Sequence, residues 1–466
     1  TLEFQSRRLE RERNAARLQA DRAEQLRTFL LDLFRAANPY EAPDPARSRE
    51  ITVVEALERG VERARIELAD RPALRADLLS SVGGVYQSLD LRDPALALFD
   101  EALAIRRQIG EDRSPEQVAD LGRMADILTR AGEFDSAGIV QHRQLAVARS
   151  GAGGELAVAR ALLGLADIAR AVGRLEEALD HRERAVSILR ARGGDGREDL
   201  ADALSALSDS YRDFDRLDDA EAAAREGLEL RRTFTGPADP RTASAEVHLA
   251  QLLHARGRLD DAVRLYRSAG TKLESVLGPL HFMTINTLNN LGTVLLDAER
   301  LGDAEAMQRL VLERRRQVPG GDPLAGAHSL QTIAATVLRQ GRLEEADSLA
   351  AEAAALYERL LPQGHHRQAF PLLTRVEIRL LQGDGAGAER LAHRAIAILE
   401  QALPEGHFAT AISRCRLGRS LALQGRRAEA TPVMARALSN LEASQQVPAR
   451  IVEECRTAVA APGDPP

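Results

Sequence analysis

The stretch Gly341-Arg342-Leu343-Glu344-Glu345-Ala346 (GRLEEA) decides the fold, because the chain returns to this pattern at a fixed interval. Close copies begin at Gly173 (GRLEEA), Asp215 (DRLDDA) and Gly257 (GRLDDA). When looser copies are included, the closing alanine recurs with successive spacings of 42, 41 and then 42 residues, at Ala95, Ala137, Ala178, Ala220, Ala262, Ala304, Ala346, Ala388 and Ala430. Such a period over most of a chain is typical of a repeat architecture, here a helical solenoid.

Each period predicts two helices joined by a turn at the repeated pattern. The first residue of the pattern is the turn residue of its period: Asp90, Gly132, Gly173, Asp215, Gly257, Glu299, Gly341, Gly383 or Gly425. Seven residues before the turn residue stands a small residue in eight of nine periods, and the residue before that is apolar in eight of nine. A small residue beside a large one lets two helices approach to about 8–10 Å and interlock. Glycine and proline clusters between periods end each second helix. The sequence therefore predicts an all-α fold, a right-handed superhelix of nine helix hairpins with helical caps.

The flanking segments have a different composition from the repeats. Charged residues crowd the first part of the N-terminal helix, and three prolines occupy the linker that follows it. The predicted boundaries are a stalk helix at 1–37, a Pro-rich linker at 38–50, a capping helix at 51–70, nine repeats at 72–445, a closing helix at 447–460 and a disordered tail at 461–466. The stalk is expected to dock on the solenoid by its apolar end, or to form a dimerising or juxtamembrane coiled coil.

Composition excludes several classes of protein. The chain is 44% hydrophobic and 29% charged, which excludes wholesale disorder, and only 3% aromatic, which disfavours a β-sandwich. A net charge of −7 offers no basic field for nucleic acid. No apolar run reaches the roughly 18 residues that span a bilayer. Because the chain begins at Thr1 rather than Met, we treat it as a fragment, and any membrane span would lie upstream of Thr1.

The sequence carries no recognisable motif for catalysis or for cofactor or metal binding. The only lysine, Lys272, falls in a second helix, and no Gly-rich loop is followed by Gly-Lys-Ser/Thr. His365 and His366 form a pair at a bend, which indicates a solvated loop rather than a metal site. Cys415 and Cys455 are too few for a disulfide framework, and Cys415 is expected to be a small buried or groove residue. We expect no cofactor, no metal and no catalytic residue in this chain.

The remaining function for such a scaffold is binding on the concave wall, which the first helices line. Helical geometry places residues 13, 10, 9, 6, 3 and 2 before each turn residue on that wall. The predicted peptide-binding residues are Arg123, Asp126, Arg130, Asp167, Arg170, Asp209, Arg212, His248, Gln251, His254, Asn286, Asn289 and Asn290. Ser80 of the first repeat lies on the same wall, which turns apolar in repeats 8 and 9 with Phe370, Leu373, Leu380, Leu381, Ile412 and Leu423.

Two interpretations of this wall remain open. Its charged residues are either a solvated face or a groove in which Asn clamps a peptide backbone and Arg holds carboxylate or phosphate. The apolar wall of repeats 8 and 9 is suited to the chain's own N-terminal helix or to a second copy, so self-association is a further hypothesis. Expected partners are proteins or peptides, without nucleic acid.

The repeat resembles the tetratricopeptide repeat. Small residues recur at the positions that this family requires, and Val82, Gly83 and Tyr86 of the first repeat fit its pattern. The 42-residue period is longer than the usual 34 and resembles the kinesin-light-chain type, whose junction is echoed by GPLHFMTINTLNNLG at 278–292. The resemblance covers about four-fifths of the chain and implies a non-catalytic protein-binding solenoid.

A second resemblance lies in the N-terminal region. The order of a charged helix, FLLDLFRAANP, a proline linker, TVVEALERGVERARIEL and a repeat opening LLSSVGGVYQSL resembles the C-terminal tail of bacterial eukaryotic-like serine/threonine kinases. It implies a sensing or docking tail, whose parent would carry a kinase domain and a membrane helix before Thr1. The alternative is a free-standing adaptor of the kinesin-light-chain type. The first hypothesis implies a membrane-tethered location, on either the cytoplasmic or the extracytoplasmic side, and the second a cytoplasmic one.

Overall fold

A computed structural model of the chain describes residues 24, 27–28, 52–404, 406–443 and 449–460. The predicted stalk, apart from Glu24, Arg27 and Thr28, and the predicted linker lie outside these residues, as does the predicted tail. Within the described part there are helices and turns and no strand, which confirms the predicted fold class. The chain divides into two compact units, Thr1–Leu230 and Arg231–Pro466.

The first unit contains a capping helix followed by helix hairpins. The helices are α1 (Val53–Glu67), α2 (Pro72–Ser88), α3 (Arg92–Gln108), α4 (Pro115–Arg130), α5 (Phe134–Arg149), α6 (Gly154–Ala171), α7 (Leu175–Arg192) and α8 (Arg197–Asp213), with α9 (Leu217–Phe234) beginning here. A short 3₁₀ turn, Gly194–Gly196, precedes α8. Each even-numbered helix packs most closely on the odd-numbered helix after it or before it in the chain.

The second unit continues the same alternation. Its helices are α10 (Pro240–Ala255), α11 (Leu259–Leu277), α12 (Phe282–Asp297), α13 (Leu301–Gln317), α14 (Pro323–Arg339), α15 (Leu343–Leu360), α16 (Ala369–Leu381), α17 (Gly385–Ala402), α18 (Phe408–Leu423), α19 (Arg427–Glu442) and α20 (Ala449–Ala460). The pairs from α2–α3 to α18–α19 correspond to the nine periods of the sequence.

Local sequence explains where these helices begin. Pro115, Pro240 and Pro323 stand at the first turn, where a missing N–H costs nothing, and each follows a capping residue. The Ser114 hydroxyl accepts a hydrogen bond from the backbone N–H of Gln117 at 3.1 Å. Such caps satisfy helix N–H groups that have no partner inside the helix.

The turn residues explain where the first helices end. All nine adopt positive φ, between 57° and 79°, although three of them are not glycine: Asp90, Asp215 and Glu299. The residue after each turn residue donates to the carbonyl five positions back, as Arg342 does to Val337 at 3.2 Å. This bond and the left-handed residue form a Schellman motif, which ends one helix and redirects the chain into the next.

The core between paired helices is built from the small residues that define the period. All nine closing alanines are at most 1% exposed, and the residues seven before the turn are also all buried. At Gly83 an added Cβ would lie 3.0 Å from the Phe99 ring, so that the pair of helices has no room for a larger side chain there. The predicted interlocking of small and large residues is thereby confirmed.

The sequence pattern leaves the pairing of the two cysteines open, whereas the expected burial of Cys415 is confirmed. Cys415 in α18 and Cys455 in α20 form a disulfide, whereas their number alone indicates no disulfide framework. Both are buried, in a cluster with Ala411, Ala437 and Leu441. The sequence does not reveal the pairing because the two residues are 40 positions apart, and only the packing of α20 on α18 brings them together.

Candidate functional site

The predicted binding residues lie on the first helices of five hairpins, α4, α6, α8, α10 and α12. None of the thirteen is buried. Arg123, Asp126, Arg130, Asp167, Arg170 and Asn286 are exposed, and the other seven are half-exposed. Two other residues predicted on the wall, Ser80 and Leu373, are instead buried, at 7% and 6% exposure. Both stand ten before their turn residues, but Asn289 at the same position of its repeat is half-exposed, so burial at this position differs from one repeat to the next.

Charged residues of the first unit's wall bind one another across successive hairpins. Arg170 of α6 donates two hydrogen bonds to the Asp213 carboxylate of α8, at 2.8 and 3.2 Å. Arg160 makes the same paired contact with Asp199, at 2.6 and 3.1 Å. The hydrogen bonds to Asp213 raise the pKa of the Arg170 guanidinium, which therefore stays charged. This contact occupies the Nε–Nη2 edge of the guanidinium, so an external carboxylate or phosphate would have to use the three N–H donors that remain.

The other charged wall residues of this unit are engaged as well. The Asp126 carboxylate accepts from Gln87 Nε2 at 2.8 Å and pairs with Arg130 at 3.1 Å. Arg182 of α7 donates to Asp167 at 2.9 Å. The remaining contacts are Arg212 with Asp209 at 2.9 Å, and Arg123 with the backbone carbonyl of Ser80 at 3.3 Å. The charged wall of the first unit is thus a network of paired side chains.

A cavity of about 380 Å³ opens on this wall between α4 and α6. Its rim carries Arg123 and Asp126 from α4, and Arg160 and Asp167 from α6, so that formal charges on the rim cancel. Its lining includes two side chains from the second helix α5, Gln141 and Gln144. Sequence reasoning misses these two, because it assigns first helices alone to the wall.

In the second unit, the first helices α10 and α12 carry carboxamides on the predicted wall. Four carboxamide side chains lie at predicted wall positions and are half or fully exposed: Asn286, Asn289 and Asn290 on α12, and Gln251 on α10. Within the part of the chain that the structure describes, none of these four side-chain amides makes a hydrogen bond. Each therefore keeps a donor NH₂ and an acceptor oxygen available to solvent or to a ligand.

His254 borders this row of carboxamides. Its Nε2 lies 2.7 Å from an Asp297 carboxylate oxygen, a contact that ties α10 to α12. On the next hairpin, Gln331 Nε2 donates to Thr374 Oγ1 at 3.1 Å. Arg339 donates to the Leu296 carbonyl at 3.1 Å. The Asn residues are thus set between polar side chains that hold neighbouring first helices together.

The last hairpins place a charged cluster where an apolar wall was expected. Glu377 of α16 accepts from Arg419 of α18 at 2.9 Å and pairs with Arg416 at 3.2 Å. Burial raises the pKa of the Glu377 carboxyl, but the two guanidiniums lower it, and the net pKa lies below the ordinary value. Phe370 and Leu381 stay exposed beside it, so the wall here is mixed rather than apolar.

The described residues contain neither a metal site nor a membrane-spanning helix. Among the described residues, no group of three or more His, Cys, Asp or Glu side chains is arranged to hold a metal ion. No helix in the described ranges combines the length and the apolar character needed to cross a bilayer.

Family models of the tetratricopeptide repeat match the chain over residues 75–116, 157–233, 241–317 and 283–359. Together these matches cover just over half of the chain. No protein with a curated description matches it.

Solved structures with a similar fold include two helical repeat proteins. The apo form of RapI is 12% identical and has a TM-score of 0.59, with 83% of this chain and 98% of that chain covered. The apo form of the quorum sensor NprR from B. thuringiensis is 14% identical with a TM-score of 0.53, covering 77% and 98%. A kinesin light chain structure with TPR-like repeats from Podosopora anserina is 17% identical, covering 45% and 99%, with a TM-score of 0.37.

Proposed function

We propose that this chain, which belongs to the tetratricopeptide repeat family, is a non-catalytic interaction scaffold that binds an extended peptide segment of a partner protein. The binding residues are Asn286, Asn289 and Asn290 of α12 with Gln251 of α10. The observation that carries the proposal is that these four amides are exposed or half-exposed and make no hydrogen bond within the described residues.

Carboxamides suit the backbone of an extended peptide. Each has donor hydrogens and an acceptor oxygen, as does each peptide unit, so that one Asn can hold both groups of a peptide. Asn286 and Asn290 stand four residues apart on α12, which places them on one face of the helix about one turn apart. Recognition through the backbone supplies affinity and leaves the choice of sequence to neighbouring side chains.

The charged wall of the first unit supports this assignment by contrast. Its guanidiniums and carboxylates are paired with one another between hairpins, as Arg170 is with Asp213. Because both side chains are partly exposed, opening such a pair costs only about 0–1 kcal/mol, but the pair still competes with a ligand for the same groups. We therefore place the first contact with a peptide backbone on the carboxamides and not on the charged network.

The test replaces Asn286 and Asn290 by Ala in the full chain. Peptides selected on the unaltered protein from a phage-displayed random dodecapeptide library serve as probes, and fluorescence polarisation measures their Kd. We expect the Kd to rise at least about tenfold, since each neutral hydrogen bond contributes roughly 0.5–1.5 kcal/mol. The midpoint of thermal unfolding should stay unchanged, because neither amide bonds another described residue.

Asn440→Ala is the matched control, since Asn440 is a half-exposed asparagine on a second helix, α19. Its Kd should equal that of the unaltered chain. Equal affinity of the double variant and the control for every selected peptide would remove the Asn row from the binding site.

The cellular setting is a finer part of the proposal. A kinase tail would use the wall to recruit substrates or to receive a peptide signal, whereas a free-standing adaptor would gather proteins with no enzyme attached. The N-terminal stretch that resembles kinase tails lies mostly outside the described residues, and its described portion lies in α1 and α2. Sequencing the reading frame upstream of Thr1 distinguishes the two: a V-A-I-K, H-R-D and D-F-G set followed by a membrane-length apolar run is expected for the kinase tail.

A further inference from the structure

The cavity between α4 and α6 has a polar floor. Gln141 and Gln144 of α5 line it and are only 4% and 6% exposed. A buried amide without hydrogen bonds would destabilise the fold, so each of these side chains needs partners.

Bonds to two helix carbonyls settle the orientation of both carboxamides. Gln141 Nε2 donates to the Ala161 carbonyl of α6 at 3.1 Å, and Gln144 Nε2 donates to the Val118 carbonyl of α4 at 3.0 Å. Gln141 Nε2 also donates to Gln144 Oε1 at 2.5 Å. Because a carbonyl accepts only, neither amide can be flipped without losing its bond.

This arrangement leaves one acceptor and one donor without a partner. Both hydrogens of Gln141 Nε2 are used, and its Oε1 accepts no hydrogen bond among the described residues. Gln144 Nε2 has two hydrogens and donates one of them, so that one remains. The floor therefore presents an unused carbonyl and an unused N–H from side chains that line the same cavity.

Two glycines in the cavity walls leave room for the carboxamides of Gln141 and Gln144. Gly122 of α4 and Gly164 of α6 also line the cavity, and a Cβ built on either would overlap the carboxamide of Gln144 or Gln141. The absence of side chains at these positions lets the amides lie against the helix backbones. At about 380 Å³, the cavity falls at the small end of the range for ligand pockets, about 300–1,000 Å³.

The unused pair of groups favours a ligand group that can both donate and accept a hydrogen bond. A carboxylate has no hydrogen to give to Gln141 Oε1, and an ammonium group has no acceptor for the Gln144 N–H. A peptide bond is trans, so its N–H and C=O point in opposite directions. A primary carboxamide has an N–H on the same side as its carbonyl oxygen, and it can therefore bond both groups along one edge.

We propose that the cavity bounded by Gly122, Gln141, Gln144 and Gly164 is a binding pocket for a primary carboxamide. The source is either an Asn or Gln side chain of a bound peptide or a small free carboxamide. The peptide source rests on the proposed function, whereas the pocket itself does not.

Butyramide is the probe for the pocket. Butyrate and N-methylpropionamide are the comparison compounds, because neither has an N–H on the same side as its carbonyl oxygen. The full ¹⁵N-labelled chain is titrated, and side-chain amide resonances report occupancy. We expect saturable binding of butyramide and at least about tenfold weaker binding of the two others. In Gln141→Met/Gln144→Met, which keeps side-chain length, that preference should disappear. Gln308→Met is the control, since Gln308 is a buried glutamine at the matching position of α13.

A second arm identifies the source. Three octapeptide libraries, randomised except for a central Gln, Glu or Met, are bound to the same variants. Preference for central Gln that disappears only in the double variant assigns the pocket to a peptide side chain. Butyramide binding without any such preference assigns it to a free carboxamide.

Two results would overturn the pocket: butyramide binding that survives Gln141→Met/Gln144→Met, or no response to butyramide together with no preference for central Gln. The butyramide titration does not use the Asn286→Ala/Asn290→Ala variant, and its result does not depend on peptide binding to the Asn residues. Failure of the proposed peptide function and failure of the pocket are therefore separate results.

Discussion

The turn residue of each of the nine repeats adopts a left-handed backbone conformation. Gly341 adopts a φ of 79°, and no atom lies within 4 Å of the position that a Cβ would take there. A substitution at this site therefore tests conformation alone. The same left-handed conformation is adopted by Asp90, Asp215 and Glu299, where a side chain makes it less favourable.

We predict that Gly341→Ala lowers the free energy of unfolding by about 1–2 kcal/mol, the cost of left-handed φ for a residue with a Cβ. Gly138→Ala is the matched control, because Gly138 lies inside α5 with open space around it. It should instead stabilise by about 0.5–1 kcal/mol. Urea unfolding followed by circular dichroism measures both, and equal effects of the two changes would contradict the conformational argument.

Asp120 gives a prediction about pH. Its carboxyl is 2% exposed and accepts from Ser80 Oγ at 2.7 Å, and burial raises its pKa above the ordinary value of an aspartate. A folded-state pKa above the unfolded one means that the native state binds the proton more tightly. Stability from this group is therefore present at low pH and is lost as pH rises through the folded pKa.

Asp120→Asn removes that titration and keeps an oxygen for Ser80. The difference in unfolding free energy, unaltered chain minus variant, should fall as pH rises from about 3.5 to 7. Urea unfolding across this range measures it. A difference that is constant or grows with pH would mean that the buried carboxyl does not titrate as described.

The sequence predicts the packing of the helices better than it predicts the contacts of the polar side chains. Periodic small residues predicted which positions pack between helices, and all nine closing alanines are buried. The same periodicity cannot show which polar side chains bond one another, because that depends on rotamers and on the neighbouring hairpin. Arg170 and Asn290 look equally suited to a ligand in the sequence, yet only the arginine is engaged, by Asp213.

At the scale of helices, the second helices contribute side chains to the wall that the periodicity of the first helices does not predict. Gln141 and Gln144 come from α5, and glycines at 122 and 164 on the adjacent first helices expose them to a cavity. Glutamines in a predicted second helix, with glycines in the flanking first helices, form a sequence pattern that marks such a place. The disulfide between α18 and α20 had no comparable pattern.

The disulfide leads to a prediction about the closing helix. In a chain-entropy treatment, a crosslink over 40 residues contributes about 4 kcal/mol, and typical values are about 2–4 kcal/mol. Cys415→Ala/Cys455→Ala, or reduction by dithiothreitol, should therefore lower the thermal midpoint of the second unit. Reductant should have no further effect on the variant. Two free thiols in the freshly purified, denatured chain by Ellman titration would show that the bond is absent in solution.

At the scale of the whole molecule, the helices of each unit pack almost entirely on their neighbours in sequence. Stability in such a chain approximates a sum of repeat and nearest-neighbour interface energies. A defect in one hairpin should therefore affect that hairpin and those next to it, and not more distant ones.

Leu291→Ala tests this localisation. Leu291 is 1% exposed in α12, and its truncation should cost about 2–5 kcal/mol through the cavity left behind. Hydrogen exchange followed by mass spectrometry should show faster exchange in α11 to α14 and unchanged exchange in α4 and α5. Leu381→Ala, at a 50% exposed leucine, is the control and should change neither. Faster exchange in α4 and α5 would contradict nearest-neighbour behaviour.

The bonds between successive first helices join residues about one period apart, 43 for Arg170–Asp213 and for His254–Asp297. Such a pairing rule constrains how the gene can change in length. Loss of one whole period, for example from Arg300 to Gly341, joins one turn residue directly to the residue that normally follows another. Loss of a partial period would instead leave the helices at the junction without their matching partners. We therefore expect deletion of one whole repeat to be tolerated better than deletion of part of a repeat.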